Sequence, residues 1–235
     1  MNPTGKLYLI PTPLGEAGGH VLPDYVINTI HSLSIFIVEK AKTARRYIKT
    51  TNHPTPISEL AFFELNKRID PSEWRTYLTA AKEGKNIGLL SEAGCPGIAD
   101  PGAEIVKLAH QAGIEVVQLV GPSSILLAIM GSGMSGQSFA FHGYLSPKKE
   151  FLPKELKRLE SSARKLKQTQ LFIETPYRNN QIIEQAFKHL ASQTYFCIAM
   201  DLTLPTQYIV AKTIGEWKKT KLPDLHKRPA VFLIY

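Results

Sequence analysis

The stretch richest in chemical possibility runs Leu89-Leu-Ser-Glu-Ala-Gly-Cys-Pro-Gly-Ile-Ala-Asp-Pro-Gly102, with three glycines and two prolines in its last nine residues. Backbone without Cβ approaches a bound molecule closely and proline fixes φ, so the stretch reads as a ligand loop. The other reading is a strand-to-helix connection in which Asp100-Pro-Gly starts a helix, and composition alone does not separate the two. Glu92 gives this loop a carboxylate and Cys95 a thiol. A second carboxylate, Glu39, ends an apolar run and is followed by Lys40, Lys42, Arg45 and Arg46. Further on, Gly121-Pro-Ser-Ser124 offers Ser123 or Ser124 as the N-cap of a helix whose first amides are open to an anionic group.

These residues need elements to position them. Lys6 to Ile10 is a short apolar strand, stopped by Pro11-Thr-Pro-Leu-Gly15. Apolar spacing predicts a helix over Tyr25 to Leu33, a buried strand over Ser34 to Val38 with Glu39 at its carboxyl end, and a basic helix over Thr43 to Lys49. Glu73 to Lys82 reads as helix, Asn86 to Leu90 as strand, Ala103 to Ala112 as helix and Ile114 to Val120 as strand. This alternation predicts an open, mostly parallel sheet covered by helices, with ligands at the carboxyl ends of its strands. Both the Pro11–Gly15 loop and the Leu89–Gly102 loop fall on that edge.

Beyond Gly121, a helix over Ile125 to Met130 leads to Gly131-Ser-Gly-Met-Ser-Gly136, which formally matches a dinucleotide fingerprint. The residues after it, Ser138 to Tyr144, alternate as a strand instead of opening a helix, so the match reads as a Gly-rich linker. Ser146 to Gln168 carries eight Lys or Arg against three Glu, with Leu152, Leu156, Leu159, Ala163 and Leu166 as an apolar stripe. Its charged side either tracks phosphates or is the solvated face of a surface helix. Strands follow at Leu171 to Glu174, Tyr195 to Met200, Tyr208 to Lys212 and Pro229 to Tyr235. Asn180 to Leu190 is a helix, and Trp217 to Leu225 a Lys-rich loop. A seam near residues 119–122 divides the chain into domains over 1–120 and 121–235.

No apolar run approaches the roughly 18–20 residues of a membrane span, and the first residues lack a signal-peptide pattern, so a cytoplasmic protein is expected. Two cysteines, Cys95 and Cys197, exclude a disulfide framework and a cysteine-built zinc site; no metal is expected. A net charge of +8 favours a polyanionic partner such as RNA.

Five ordered motifs spanning almost the whole chain resemble the class III, tetrapyrrole-methylase-like S-adenosylmethionine methyltransferases. They are Leu7-Tyr-Leu-Ile-Pro-Thr-Pro-Leu-Gly15, Ser91 to Gly102, Gly121-Pro-Ser-Ser124, Phe141-His-Gly-Tyr-Leu145 and Ile173-Glu-Thr-Pro-Tyr-Arg178. The likeness is greatest to the branch that methylates a ribose 2′-hydroxyl of small-subunit ribosomal RNA. It implies two α/β domains with S-adenosylmethionine in the cleft between them, a ribosomal RNA substrate and a homodimer. It also implies that full-length members run one small helical domain further.

Carried over by position, the cofactor contacts are Pro13 in the first loop and Glu92, Gly94, Cys95 and Ile98 in the central loop. Ser123, Ser124 and Ile125 follow at the turn, then Thr175, Pro229 and Ala230 in the second domain. A zwitterionic cofactor needs carboxylate acceptors, amide donors and an apolar slot, which Glu92, the Ser123–Ile125 helix start and Ile98 or Ile125 would supply. Taken singly, Ser124 is also an ordinary cap, Cys95 a small buried side chain and Thr175 a turn residue.

The implied reaction is in-line methyl transfer to oxygen, with Glu39 as the base and Lys40, Lys42, Arg45, Arg46 and Arg178 holding the substrate. A salt bridge to those same cations is the competing role for Glu39. The branch usually reads Glu-Asp-Thr-Arg-His-Thr where this chain has Glu39-Lys-Ala-Lys-Thr-Ala44, and Asp and Thr where it has Glu92 and Cys95. The alternatives are therefore a methylase of tetrapyrroles and a non-catalytic protein that binds RNA or the ribosome.

Overall fold

The computed structural model describes residues 4–65 and 71–235. They form two compact units, one ending at Pro122 and the other running from Ser123 to Tyr235. No helix among the described residues is long and apolar enough to cross a membrane.

The first unit alternates strand and helix. Its strands are β1 (Lys6–Ile10), β2 (Ile35–Val38), β3 (Ala61–Glu64), β4 (Ile87–Leu90) and β5 (Glu115–Gln118). All pair in parallel in the order β3-β2-β4-β1-β5. The middle strands are continuous apolar runs because helices bury both of their faces. On one face α1 (Asp24–His31) and α2 (Ala41–Thr50) set Val26, Ile30 and Ile48 against Ile10, Phe36 and Leu90. On the other, α3 (Thr79–Lys82) and α4 (Gly102–Gln111) bring Ala81, Ile105 and Ala109 to Leu7, Ile37 and Leu89. Gly88 lets the α1 face close: a Cβ there would lie 2.7 Å from Ile10 Cδ1 and 2.9 Å from Phe36 Cδ1.

Two differences from the sequence reading stand out here. The helix expected over Glu73 to Lys82 is a 3₁₀ segment, Pro71–Leu78, that becomes α-helical only at α3. Strand β3 was not anticipated: it is a four-residue edge strand whose alternation of exposed and half-buried positions is too short to register as a period. It nonetheless matters to the site, because Glu64 at its end caps the Ala41 amide at the start of α2 at 2.5 Å.

The second unit contains α5 (Ser124–Ser132), β6 (Phe139–Tyr144), α6 (Leu152–Leu166), β7 (Thr169–Glu174), α7 (Asn179–His189), β8 (Tyr195–Met200), β9 (Tyr208–Thr213), α8 (Ile214–Trp217) and β10 (Ala230–Ile234). The sheet order is β6-β7-β10-β8-β9, and only β6 and β7 are parallel. Leu156, Leu159, Ile182 and Ala186 of α6 and α7 cover Phe172, Phe196 and Phe232, while α5 packs across β8, β9 and β10.

The Gly-rich linker expected over 131–136 is partly helix. Gly131 and Ser132 close α5, where a Cβ on Gly131 would stand 2.6 Å from Ile209 Cδ1, and Gly133 caps the helix at φ 70°. Strand β6 follows, so the dinucleotide fingerprint has no helix to open. Trp217 does not begin a loop. It ends α8 behind a Thr213–Glu216 capping box and is fully buried, its Nε1 donating to the Phe196 carbonyl at 2.7 Å.

Candidate active site

The carboxyl ends of β1, β2 and β4 lie side by side, and their loops knit into one surface. Thr12 and Gly94 form an isolated two-way bridge: the Thr12 amide donates to the Gly94 carbonyl at 2.9 Å and the Gly94 amide returns a bond at 3.0 Å. Ser91 Oγ donates to the Gly94 carbonyl at 2.9 Å, and Thr12 Oγ donates to the Ser91 carbonyl at 3.3 Å. Gly94 holds φ +80°, the left-handed region that suits a residue without Cβ, and a Cβ there would press 3.2 Å from Leu14.

Asp100 sets the far side of the loop. Its Oδ1 accepts from the amides of Gly97 and Gly102, both at 2.7 Å, so one carboxylate closes the turn and leads the chain into α4. Its Oδ2 is enclosed and has no partner among the described residues. Burial pushes the Asp100 carboxyl above the usual carboxylate range, against the pull of those two amides. In sequence Asp100-Pro-Gly reads only as a helix start; that its carboxylate also closes the loop, through the Gly97 and Gly102 amides, is set by the fold.

Glu39 stands at the end of β2 and Oε1 accepts from the Glu92 amide at 3.0 Å. Its carboxyl is raised from the ordinary value, first by burial and then by the negative charges of Asp100 and Glu92, while the Glu92 amide and Lys40 oppose the shift. The ion pair expected to compete for Glu39 is absent among the described residues. Lys40 instead reaches Glu92 Oε2 at 3.6 Å, and Arg46 pairs with Glu16 at 3.1 Å. The Arg46–Glu16 pair is well exposed and contributes little to stability, whereas in the other Lys40 is exposed and Glu92 half-buried. Arg45 lies over the Phe62 ring at 4.9 Å, and Lys42 is exposed. None of the four pairs with Glu39: Lys40 is the N-cap residue of α2, Lys42 and Arg45 lie along the helix, and Arg46 lines the cavity beside it.

A cavity of about 500 Å³ opens between these loops and α2, lined by Pro13, Gly15, Thr43, Tyr47, Ser91 and Glu92 among others. The Tyr47 hydroxyl is enclosed without a hydrogen-bond partner among the described residues, and burial moves its pKa to about 12, so it stays a neutral phenol. The Cys95 thiol is also raised, chiefly by burial, and donates to the Pro122 carbonyl at 3.4 Å. A raised thiol of this kind is a weaker nucleophile than an ordinary cysteine. Ile98 is exposed on the same loop.

In the second unit, Ser123 is the N-cap of α5, its Oγ accepting from the Leu126 amide at 3.4 Å; Ser124 and Ile125 are the first helical residues. With the Leu126 amide taken by Ser123, the Ser124 and Ile125 amides have no acceptor within the helix and remain available to a ligand. Thr175 and Pro229 are brought together by the pairing of Glu174 with Ala230. Thr175 is exposed, its amide bound to Glu174 Oε1 at 2.7 Å, whereas Ala230 is buried. Arg178 is committed: it pairs with Glu174 at 3.2 Å and donates to the Ser146 carbonyl at 2.9 Å.

The family model of the tetrapyrrole (corrin/porphyrin) methylases matches residues 6–218. The chain is 32% identical over 212 residues to the ribosomal RNA small subunit methyltransferase I of Bacillus subtilis (strain 168), a match covering 90% of this chain and 68% of the relative. Its match to the protein of that name from Escherichia coli O157:H7 is 30% identical over 215 residues, 92% of this chain and 71% of the relative. Among solved structures, the uroporphyrin-III C-methyltransferase of Thermus thermophilus complexed with S-adenosylhomocysteine aligns with a TM-score of 0.56 at 15% identity. That alignment spans 98% of this chain and 97% of the other, and is a likeness of fold. The chain therefore belongs to the tetrapyrrole (corrin/porphyrin) methylase family, on the branch of the ribosomal RNA small subunit methyltransferases I.

Proposed function

We propose that this protein is an S-adenosylmethionine-dependent methyltransferase that modifies small-subunit ribosomal RNA at a ribose 2′-hydroxyl. The observation that carries the reading is the match to curated small-subunit RNA methyltransferases over nine-tenths of the chain, with Glu39 retained at the strand edge.

The residues present fit the methyl donor. In the first unit the tight Thr12–Gly94 bridge leaves a backbone-lined rim beside Pro13 and Cys95, and Glu92 would supply an acceptor for an ammonium or ribose hydroxyl; in the second unit, taken by itself, the α5 start would supply amides for a carboxylate. Ile98, Thr175, Pro229 and Ala230 complete the proposed contacts. When bound, S-adenosylmethionine supplies an electrophilic methyl on a sulfonium.

The chain's own contribution is alignment first. Holding the hydroxyl in near-attack geometry is worth on the order of 7–11 kcal/mol. Glu39 then takes the hydroxyl proton as oxygen acquires the methyl, a contribution of about 10²–10⁴-fold. Its burial suits the role, since a raised carboxyl is a better proton acceptor once ionised. The 500 Å³ cavity beside Glu92 is large enough for a nucleoside, and its Thr43, Tyr47 and Ser91 suit a hydroxyl-bearing guest. Arg46 would meet a phosphate at the cavity wall, and Lys40, Lys42 and Arg45 would meet phosphates outside it.

Transfer of labelled methyl from S-adenosylmethionine to isolated small ribosomal subunits, to naked small-subunit RNA and to a uroporphyrin-type tetrapyrrole tests the reading. Label in the RNA, resistant to alkaline cleavage at one nucleotide, is expected. Label in the tetrapyrrole alone, or in no acceptor despite measurable donor binding, overturns it.

A further inference from the structure

The end of the second sheet where β6 and β7 finish and β10 begins carries three aromatic rings that the core does not use. Tyr177 is 71% exposed, Tyr144 58% and Phe151 47%. Single exposed apolar residues need no explanation, but three rings on neighbouring loops form a feature. The loops are held in place. The Ser146 amide donates to Glu155 at 2.7 Å, the Ser146 carbonyl accepts from Arg178, and the Lys227 amide donates to the Pro176 carbonyl at 3.2 Å. Tyr144 pairs in register with Ile173, so the Thr175–Arg178 turn rises just beyond it. The Tyr177 ring meets His226 edge-on at 6.1 Å.

Cations border the rings. Lys148 Nζ lies 5.6 Å from the Phe151 ring centroid, and Lys149, Lys154 and Lys227 are exposed. None of these four lysines forms an ion pair among the described residues. The acids within these loops are Glu150 and Asp224, and Asp224 accepts from the His226 amide at 2.9 Å. Exposed rings on fixed loops interleaved with unpaired lysines are the composition that stacks unpaired bases while tracking their phosphates.

We propose that Tyr144, Phe151 and Tyr177, with Lys148, Lys149 and Lys227, form a stacking platform for a single-stranded stretch of the RNA substrate. The inference rests on the RNA-methyltransferase reading and deepens it. Bases of that stretch stack on the rings, so a partly unpaired segment is bound in preference to a duplex. The same edge carries Thr175 and Pro229, which keeps the strand beside the residues proposed for the methyl donor.

The test compares wild type with Tyr144→Ala, Phe151→Ala, Tyr177→Ala and Tyr177→Trp. Fluorescence anisotropy measures binding to a short labelled oligoribonucleotide, single-stranded and as a duplex; calorimetry measures S-adenosylmethionine affinity, and thermal melting monitors the fold. Each alanine is expected to weaken single-strand binding by about 5- to 150-fold, the range for losing one base–aromatic stack. Tyr177→Trp is expected to retain binding and to show indole quenching on adding RNA. Donor affinity and melting temperature stay at wild-type values.

Single-strand binding at wild-type strength in the alanine variants overturns the platform and leaves the enzyme reading standing if ribosomal subunits are still methylated. A wild type that binds only duplex, or no single strand, overturns it too. Loss confined to donor affinity assigns the rings to the cofactor and also overturns the platform. Absence of both RNA binding and methyl transfer to RNA overturns the enzyme reading as well.

Discussion

At the residue scale, the carboxyl group of Glu39 is defined by one hydrogen bond and its burial rather than by the cations beside it in sequence. Glu39→Gln keeps the size and the acceptor for the Glu92 amide but cannot take a proton. It is expected to lower single-turnover methyl transfer by about 10²–10⁴-fold while RNA and donor affinities hold, as measured by rapid quench and calorimetry. The pH dependence has two signs. Transfer falls as pH drops through the raised Glu39 pKa, so the acid limb of the rate profile lies above the position of an ordinary glutamate, and Glu39→Gln abolishes that limb.

Stability runs the other way. Glu39 and Asp100 hold protons more tightly folded than unfolded, so stability declines as pH rises from the ordinary carboxylate range through their raised values. Urea titrations across that window are expected to show the decline shrink in Glu39→Gln. Glu39, Glu92 and Cys95 were each legible in the sequence as residues of interest. The bond joining Glu39 to Glu92 was not, because it links residues 53 apart that only the β2–β4 pairing makes neighbours.

At the scale of elements, legibility followed the strength of the local pattern. Helices α1, α2 and α4 and strands β1, β2, β4 and β5 of the first unit are long or apolar enough to read directly, whereas β3, a four-residue edge strand, and the 3₁₀ segment before α3 have no period to recognise. Helix α8 did leave a signal, Thr213-Ile-Gly-Glu216, the spacing of a capping box, which a reading centred on nearby lysines passed over. The direction of β8, β9 and β10 is set by tertiary pairing and has no counterpart in local sequence. Gly88 shows what an element contributes to the site from behind. With Ile10, Leu33 and Phe36 within 2.7–3.1 Å of any Cβ, Gly88→Val must displace these core side chains. It is expected to cost about 1–3 kcal/mol by overpacking, read as a lower urea midpoint at unchanged slope.

For the whole molecule, the charge of +8 was legible, but its distribution was not. In the structure it divides among α2, the solvated side of α6 and the loops around Lys148 and Lys227, while Arg178 and Arg228 are paired with Glu174 and Asp201. If RNA is held by these lysines, log affinity falls linearly with log salt, with a slope near −0.7 for each single-strand phosphate neutralised. Anisotropy titrations from low to physiological salt check this, and Lys148→Ala with Lys227→Ala is expected to flatten the slope. The order of strands has a different consequence, for synthesis. The first sheet is complete once Gln118 has been made, but the second has β10, its last strand in sequence, at its centre. Until Ala230–Ile234 leaves the ribosome, β7 and β8 have no shared partner and expose unpaired edges to any passing strand. A ribosome that meets a damaged message near that point releases a chain whose first half is folded and whose second half is adhesive.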